Sequence, residues 1–264
     1  MSAVFSMPKN KVRQSFASAA DTYDGFAVLQ RQVGLDFISM FGIGIAGQNV
    51  MDLGCGTGFL IQELMVADVA QKMLAVDIAY SMLQTSRSKS KCFNTVQYIC
   101  ADAEKLPLVD DSLDTIVSNL ALQWCQDLTG VFQGFKRVLR TDGRLFFSTF
   151  GTKTLQELKQ SWAEVDRYTH VNEFSTVDQL NFFLTQASFK NIRINKQCYC
   201  LNYPSVLALM KELKGIGANQ VISGRNKKIT ARLQMQAMIN TYERYQSNGL
   251  IPATYEVLFV SATV

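Results

Sequence analysis

The segment Asn49–Gly58, NVMDLGCGTG, decides the fold. Its first half is a short apolar run that predicts a buried β-strand, and its second half carries a glycine at every other position from Gly54 to Gly58. Glycine permits a tight turn and lets the backbone approach a ligand without interference from a Cβ atom. Ligands of doubly wound sheets bind beyond the carboxyl ends of the strands. The segment therefore predicts a strand followed by a ligand-binding turn.

Short apolar runs alternate with helical segments on the carboxyl side of this turn, which is typical of parallel strands covered on both faces. The right-handed crossover rule then favours a doubly wound sheet. Residues 9–46 are predicted to be helical, and Thr141–Gly143 to form a turn. The predicted strands are Asn49–Leu53, Lys72–Asp77, Thr95–Asp102, Leu113–Asn119 and Arg144–Phe150, and the helices between them are Leu60–Ala67, Ser81–Ser90 and Leu128–Leu139.

The pattern changes after Phe150, where residues 152–187 are predicted to be helical, with further helices at 205–215 and 229–246 and strands at 190–201 and Thr254–Val264. The prediction is an α/β fold with a doubly wound, mostly parallel seven-stranded sheet, N-terminal helices and a helical insertion. We expect a single domain, 1–264. Its predicted parts are a helical cover at 1–46, a cofactor-binding core at 47–150, a substrate and carrier region at 151–252, and the final strand at 254–264.

Composition narrows the class of protein. A hydrophobic fraction of 48% and a charged fraction of 18% are typical of a soluble globular chain. The net charge of +4 is too small to indicate nucleic-acid binding. The N-terminus lacks a signal-peptide pattern, and Phe37–Gly47 is too short to span a membrane. We therefore expect neither nucleic acid nor membrane as a partner.

The cysteines and the single histidine do not suggest a metal centre. Six cysteines are scattered without a C-x-x-C pair, and His170 is the only histidine. Cys198 and Cys200 are predicted to share one face of a strand and to pack in the core. We expect no metal, reduced cysteines and a cytoplasmic location.

The glycine turn excludes the dinucleotide fingerprint, which requires a glycine where this chain has Phe59. That fingerprint holds the pyrophosphate of a dinucleotide. The other common nucleoside cofactor of such sheets, S-adenosylmethionine, has no pyrophosphate. Asp77 ends the second strand, where its carboxylate would accept hydrogen bonds from both ribose hydroxyls. Capping of the helix that follows is the alternative role for Asp77.

Polar residues also end the next two strands. Asp102-Ala103-Glu104 follows the third strand, where an acid would accept from the adenine amino group or simply lie in a solvated turn. Ser118-Asn119-Leu120 ends the fourth strand, at the rim that would face a transferring methyl group. Together with the glycine turn, these strand ends predict S-adenosylmethionine as the cofactor.

With these residues in place, the chain resembles the class I methyltransferases, and within them the malonyl-acyl-carrier-protein O-methyltransferase family of biotin synthesis. Three of the matching segments are far more particular than the glycine turn: SNLALQWC, HVNEF and LKGIGAN. The matching segments are Ser15–Gln32, DLGCGTG (Asp52–Gly58), Asp102–Leu108, Ser118–Cys125, Phe147–Leu158, His170–Phe174, Leu213–Asn219 and Gly249–Phe259.

The resemblance and the strand ends together give the expected site. Tyr23 would lie over the cofactor and Arg31 would pair with its carboxylate, although Arg31 could equally be an exposed helix residue without a role. The expected cofactor-binding residues are Tyr23, Arg31, Asp52, Gly54, Cys55, Gly56, Gly58, Asp77, Ile78, Met82, Asp102, Ala103, Glu104, Asn119 and Leu120. The expected substrate-positioning residues are Tyr23, Asn119, Gln123, Trp124 and His170. Packing between helices is the alternative for Tyr23 and Trp124, and a structural role is the alternative for His170.

The resemblance implies methylation of the free carboxylate of a malonyl thioester on acyl carrier protein. Such a carboxylate is ionised at neutral pH, so no residue is expected to act as a general acid or base. Residues 151–230 hold 11 basic and six acidic residues, an excess that suits an acidic carrier. The candidates for carrier docking are Lys211, Lys214, Arg225, Lys227, Lys228 and Arg232. The oligomeric state is left open.

Two other functions stay open at this point. A class I methyltransferase of a small acid or quinone precursor would act without a carrier protein. A non-catalytic subunit would bind the cofactor without turnover. The intact glycine turn and strand-end acids argue against the second of these.

Overall fold

The computed structural model describes residues 9–218 and 232–264. The strands are β1 (Gly47–Leu53), β2 (Ala70–Asp77), β3 (Val96–Cys100), β4 (Leu113–Asn119), β5 (Leu139–Phe150), β6 (Lys190–Tyr203) and β7 (Ile251–Thr263). The helices are α1 (Lys9–Ala19), α2 (Tyr23–Phe26), α3 (Val28–Ile45), α4 (Phe59–Val66), α5 (Tyr80–Lys89), α6 (Leu128–Val138), α7 (Gln156–Ala163), α8 (Val177–Gln186), α9 (Val206–Gly215) and α10 (Arg232–Tyr242). Short 3-10 helices cover Ala103–Lys105, Leu122–Trp124 and Glu243–Tyr245.

In the described part of the chain, seven strands form one sheet in the order β3-β2-β1-β4-β5-β7-β6. The first five strands of this order pair in parallel, and β7 runs antiparallel to both β5 and β6. The carboxyl ends of β1 to β5 therefore lie along one edge, with the glycine turn after β1 near its centre. This confirms the doubly wound, mostly parallel sheet predicted from the sequence.

Two apolar layers cover the sheet, because neighbouring residues of a strand point to opposite faces. Phe146 of β5 packs on Phe41 of α3, with ring centroids 5.2 Å apart. Its neighbour Phe147 packs on Phe132 of α6 on the other face, at 5.6 Å. The helices α3 and α6 therefore cover opposite faces of the sheet.

The predicted helical region 9–46 consists of three helices, α1 to α3. In α3, Val33, Phe37 and Ile45 are fully buried against the sheet. Within residues 9–218 and 232–264, no helix is both long enough and apolar enough to cross the hydrocarbon core of a bilayer.

Two element predictions in and near the insertion are wrong in detail. The region 152–187 is not continuously helical, because α7 ends at Ala163 and α8 begins only at Val177. Thr176 and Gln179 start α8 with a capping box, which fixes its first turn. The predicted turn Thr141–Gly143 lies inside β5, where Asp142 has a φ of 62° next to an irregular register with β4.

The predicted core packing of Cys198 and Cys200 is also wrong, since both side chains are exposed. They lie on β6, which pairs only with β7 at the edge of the sheet. An edge strand with little cover leaves alternate residues in solvent, even where their spacing suggests a buried face.

Candidate active site

The glycine turn joins β1 to α4 and opens at the carboxyl edge of the sheet. Gly54, Gly56 and Gly58 have φ values of 68°, 52° and 86°, a region that costs other residues energy. A Cβ on Gly54 would lie 2.3 Å from the Cβ of Ala121, whereas a Cβ on Gly56 would meet no atom within 4 Å. Gly54 is therefore required for packing, and Gly56 leaves open space beside the turn.

Asp77 holds the glycine turn in place from the end of β2. Its Oδ2 accepts a hydrogen bond from the Gly56 N–H at 2.9 Å, and its Oδ1 accepts from the Ala79 N–H at 2.8 Å. Burial raises the pKa of Asp77 to about 6 despite these bonds. The carboxylate thus binds the backbone at the start of α5, which agrees with the alternative role predicted for Asp77, capping of the helix that follows. It retains further acceptor positions, so its bonds to the ribose stay a prediction.

The acids after β3 are bound to a lysine from α1. Lys9 Nζ lies 2.5 Å from Asp102 Oδ2 and 2.6 Å from Glu104 Oε2. Burial acts to lower the pKa of Lys9, but hydrogen bonds and charge from the two carboxylates raise it overall. Asp102 also accepts from the Glu104 N–H at 3.0 Å, and Glu104 accepts from the Gln126 N–H at 2.8 Å. The turn is therefore ordered rather than simply solvated.

A cavity of about 820 Å³, including its open mouth, lies at this edge of the sheet. Its wall contains the glycine turn, the ends of β2, β3 and β4, and one side of α1. Its lining residues that the sequence predicted are Tyr23, Gly54, Gly56, Asp77, Ile78, Met82, Asp102, Ala103, Glu104, Asn119, Leu120 and Trp124. The structure thus brings together twelve of the predicted site residues around one space large enough for a nucleoside ligand.

Aromatic side chains close the cavity on the side of α1. Phe16 meets Trp124 edge to face, with ring centroids 5.3 Å apart and planes at 84°. Tyr23 is half-buried in the same wall. Burial, together with the nearby charges of Asp77 and Asp24, raises the pKa of Tyr23 above its ordinary value. Tyr23 therefore stays a neutral phenol, and these rings form an apolar part of the cavity wall.

A smaller cavity adjoins the first on the α3 side, and both are lined by Tyr23, Gly54, Gly56 and Asn119. The predicted residues Arg31, Asp52 and Cys55 line only the smaller one. Burial, followed by the charge of Asp77, raises the pKa of Asp52 to about 8. Burial likewise raises the pKa of the Cys55 thiol well above its usual value. Cys55 is therefore a neutral wall residue and not a nucleophile.

Asn119 ties the end of β4 to α3 and to β5. Its Nδ2 donates to the Gln30 carbonyl oxygen at 2.9 Å, and its Oδ1 accepts from Ser148 Oγ at 2.7 Å. The next residue, Leu120, has a φ of 49° and donates its N–H to the Ser148 carbonyl oxygen at 3.1 Å. The positive φ of Leu120 is an uncommon backbone conformation for a residue other than glycine, and such conformations cluster at functional sites.

Comparison with known proteins identifies the family. Residues 51–147 match the family described as a methyltransferase domain. The chain is 37% identical to the malonyl-[acyl-carrier protein] O-methyltransferase of Gallionella capsiferriformans, covering 97% of this chain and 90% of that protein. It is 40% identical to the protein of the same name from Methylococcus capsulatus, covering 95% and 92%. The chain belongs to the malonyl-[acyl-carrier protein] O-methyltransferase family.

A longer relative matches over the same region, and solved structures share the fold. The Biotin biosynthesis bifunctional protein BioHC of Saccharophagus degradans is 36% identical, and the match covers 95% of this chain and 46% of that protein. The YcgJ protein of Bacillus subtilis shares the fold, with a TM-score of 0.60 at 16% identity over 88% of this chain and 97% of that one. A phosphoethanolamine N-methyltransferase of Haemonchus contortus does so with a TM-score of 0.59 at 15% identity, over 94% and 57%.

The cofactor of this methyltransferase family, S-adenosylmethionine, fits the described site. The acceptor side chains of Asp77, Asp102 and Glu104 line the large cavity, and a Cβ on Gly56 of the turn would meet no atom within 4 Å. Gln30 Oε1 and Asp52 Oδ2 are buried without a hydrogen-bond partner among the described residues, as expected for groups that await a polar ligand.

Three predicted residues lie outside both cavities. Gly58 ends the turn as the N-cap of α4. Gln123 donates to the Leu120 carbonyl oxygen at 2.5 Å and accepts from Thr149 at 3.3 Å, so it supports the corner after β4. His170 stacks on Trp162 at 3.7 Å and lies 2.9 Å from Asp166 Oδ1. For His170, this geometry favours the structural role.

The predicted carrier-docking residues separate into three groups. Lys211 and Lys214 of α9 are exposed and line a groove against α1, where Lys11 joins them. Arg232 is exposed at the beginning of α10. Arg225, Lys227 and Lys228 lie outside the described residues.

Among the lining residues that sequence reasoning missed are Lys9, Val12, Phe16 and Gln30. The first three line the large cavity, and Gln30 lines the smaller one. Phe16 and Gln30 fall within the matching segment Ser15–Gln32, so the resemblance already contained a signal for them. Lys9 and Val12 had none, because their roles depend on where α1 crosses the carboxyl edge.

Proposed function

We propose that this protein transfers a methyl group from S-adenosylmethionine to the free carboxylate of malonyl-acyl-carrier protein. The resulting methyl ester would prime pimeloyl synthesis for biotin. The observation that carries the proposal is the identity of 37% to a malonyl-[acyl-carrier protein] O-methyltransferase over 97% of this chain. The cavity at the carboxyl edge supports it, because predicted cofactor residues from six separate segments line one space.

The chemistry needs orientation more than proton transfer. When bound, S-adenosylmethionine supplies an electrophilic methyl group on a sulfonium. A malonyl carboxylate has a pKa near 3 to 4, so it is already a nucleophile at neutral pH. Tyr23, Phe16 and Trp124 form an apolar part of the cavity wall, and the corner at Asn119 fixes its rim. Orientation of two reactants in such a space lowers a barrier by up to about 7–11 kcal/mol.

The test is incubation of the purified protein with methyl-labelled S-adenosylmethionine and malonyl-acyl-carrier protein. We expect a base-labile methyl ester on the carrier-bound malonyl group, and none on acetyl-acyl-carrier protein, which lacks the free carboxylate. Equal labelling of a free small acid in place of the thioester would contradict the proposal and favour the alternative substrate class.

The groove between α1 and α9 is proposed as part of the carrier-docking surface. Three lysines line it, Lys11, Lys211 and Lys214, together with the half-buried ring of Phe26. Thr22 Oγ1 donates to the Gly215 carbonyl oxygen at 3.2 Å, so α9 is held against the helices that cover the cofactor cavity. A basic groove beside the active site suits an acidic carrier, since charge complementarity raises encounter rates.

Charge reversal tests this docking surface. In Lys211→Glu/Lys214→Glu, we expect kcat/KM for malonyl-acyl-carrier protein to fall on the order of tenfold or more, because the steering field changes sign. Turnover of malonyl-CoA is measured in parallel and is expected to change less than twofold. Lys72→Glu is the matched control, because Lys72 is exposed at the opposite edge of the sheet. Equal losses with both substrates would contradict the docking role.

A further inference from the structure

The two glycines of the segment LKGIGAN lie away from the cavities at the carboxyl edge. Gly215 is the last residue of α9, and Gly217 follows it with a φ of 76°. Neither glycine lines the large cavity or the smaller one. Both instead face α1 and α2, whose side chains Phe16 and Tyr23 form part of the wall of the large cavity. Any role of these glycines at the site is therefore exerted through α1 and α2.

Gly215 lets α2 pack directly on the end of α9. A Cβ atom at position 215 would lie 2.3 Å from Cδ2 of Phe26, far inside the separation at which carbon atoms attract. The Gly215 carbonyl oxygen also accepts a hydrogen bond from Thr22 Oγ1 at 3.2 Å. Thr22 is the N-cap of α2, and Phe26 is its last residue. One residue of α9 thus contacts both ends of the single turn that carries Tyr23.

Gly217 makes the corresponding contact with α1. A Cβ atom there would lie 3.1 Å from the Ser15 carbonyl oxygen and 3.2 Å from Cδ1 of Phe16. Its φ of 76° lies in the left-handed region, which glycine adopts without steric cost. Phe16 in turn meets Trp124 in the wall of the large cavity. Gly215 and Gly217, here called the glycine seat, therefore contact both of the helices that line this wall.

The turn that carries Tyr23 is short and is also tied to the glycine turn after β1. The Ala27 N–H donates to the Tyr23 carbonyl oxygen at 2.8 Å, which closes the turn. Asp24 accepts from Thr57 Oγ1 at 2.6 Å and pairs with Lys89 of α5. Because α2 is a single hydrogen-bonded turn, a displacement of its last residue also moves its first residue, Tyr23.

We propose that the glycine seat positions Tyr23 over the large cavity, so that Gly215 and Gly217 are positioning residues for the cofactor. The proposal rests on this cavity being the S-adenosylmethionine site. Gly215 is the more informative position, because it lies in α9 without a positive φ. Alanine is intrinsically better than glycine in a helix, so any loss in Gly215→Ala arises from the contact with Phe26.

Calorimetric titration with S-adenosylhomocysteine, the demethylated product of the cofactor, tests the seat. We expect Gly215→Ala to bind it on the order of tenfold more weakly than wild type, because overpacking shifts the backbone of α2. In a Phe26→Ala background the clash is absent, so Gly215→Ala should change the affinity less than about twofold. Gly25→Ala is the matched control and should bind like wild type, since a Cβ at this position of α2 would meet no atom within 4 Å.

A second variant tests the seat without adding bulk. Thr22→Val removes the hydrogen bond to the Gly215 carbonyl oxygen, so we expect binding about threefold weaker than wild type. Thr22 is exposed, so this variant decides the question if Gly215→Ala does not fold.

The outcomes separate a positioning role from a purely structural one. A structural role lowers the unfolding temperature of Gly215→Ala but leaves the affinity of the folded protein unchanged. Wild-type affinity in folded Gly215→Ala, or an equal loss with and without the Phe26 ring, overturns the seat while the cofactor assignment stands. Failure of the wild-type protein to bind S-adenosylhomocysteine at all overturns both.

Discussion

At the scale of single residues, two glycines of the same turn have different tasks. Gly54→Ala would place a Cβ 2.3 Å from Ala121, in addition to the cost of a φ of 68°. Gly56→Ala incurs only the backbone cost, roughly 1–2 kcal/mol, because its Cβ would point into open space. We expect urea unfolding to show a loss for Gly54→Ala about 1–3 kcal/mol larger than for Gly56→Ala.

A substitution at Ala121, the residue that a Cβ on Gly54 would meet, tests whether this clash causes the loss of stability. Ala121→Gly removes the atom that the new Cβ would meet, so it should restore part of the stability of Gly54→Ala and none of that of Gly56→Ala. Gly56→Ala should instead lose binding of S-adenosylhomocysteine, since its methyl group enters the space shared by both cavities. A Gly56→Ala protein with unchanged affinity would show that the ligand does not approach the turn there.

Asp77 is expected to serve both stability and binding. In Asp77→Asn, one amide oxygen replaces two carboxylate oxygens, so either the Gly56 or the Ala79 N–H loses its acceptor. We expect a stability loss of about 1–3 kcal/mol and at least tenfold weaker binding of S-adenosylhomocysteine, measured at pH 8, where Asp77 is charged. Asp142→Asn is the control, because asparagine tolerates the φ of 62° found there. Unchanged binding in Asp77→Asn would contradict the ribose role.

The sequence predicted residues whose role is local and missed those whose role depends on distant packing. The glycine turn and Asp77 lie in contiguous strand-turn-helix units, so their positions follow from the pattern alone. Lys9 meets Asp102 across 93 residues, and no pattern in the sequence marks that contact. His170 was expected to position substrate, whereas its stacking on Trp162 depends on the path of an irregular segment that the sequence does not specify.

At the scale of elements, α1 is held over the large cavity by an ion-pair cluster at its first residue and by apolar contacts further along. Lys9 bridges to two carboxylates, and Val12 and Phe16 form the apolar wall. In Lys9→Met, we expect amide hydrogen exchange of residues 9–19 to accelerate about threefold to tenfold, because a partly buried ion pair stabilises such a segment by about 1 kcal/mol.

The exchange measurement has an internal reference and a matched variant. Peptides from β1 and β4 should keep their wild-type protection, since they do not depend on α1. Lys11→Met removes an exposed lysine from the same helix and should leave exchange of residues 9–19 unchanged. Equal acceleration in both variants would mean that the ion pair does not hold α1 in place.

Strand positions were easier to predict from the sequence than the elements of the insertion. Buried parallel strands are short apolar runs, and Leu113–Asn119 matches β4 residue for residue. The segment between α7 and α8 was predicted to be helical but is irregular, with Val171 buried and Phe174 packed on Phe150 of β5. The exposure of Cys198 and Cys200 follows from the edge position of β6, which depends on the order of strands in the sheet and not on local sequence.

At the scale of the whole molecule, the sheet collects groups from distant segments at one edge. Two buried carboxylates, Asp52 and Asp77, lie near each other at this edge, and the charge of Asp77 adds to burial in raising the pKa of Asp52. The prediction of a single domain with a separate substrate region stays a prediction, to be tested by whether unfolding is a single transition with and without ligand.

These carboxylates make the stability of the ligand-free protein depend on pH in a defined direction. Burial raises the pKa of Asp52 to about 8 and that of Asp77 to about 6, so the folded state binds their protons more tightly than the unfolded chain. Their contribution is complete below the unfolded pKa of about 4 and is lost as the pH rises to 8. We expect the free energy of unfolding to fall over this range by at most about 1.4 kcal/mol per pH unit for each group.

Asp52→Asn separates this effect from that of other ionisable groups. The variant imitates the protonated side chain, so its unfolding free energy should decline less steeply than that of wild type between pH 6 and 8, the window assigned to Asp52. An ammonium group beside Asp52 would favour its charged form, so ligand binding at pH 7 should release a proton from wild type and not from the variant. Titration of S-adenosylhomocysteine in buffers of different ionisation enthalpy measures that release, and equal release from both proteins would exclude Asp52 as its source.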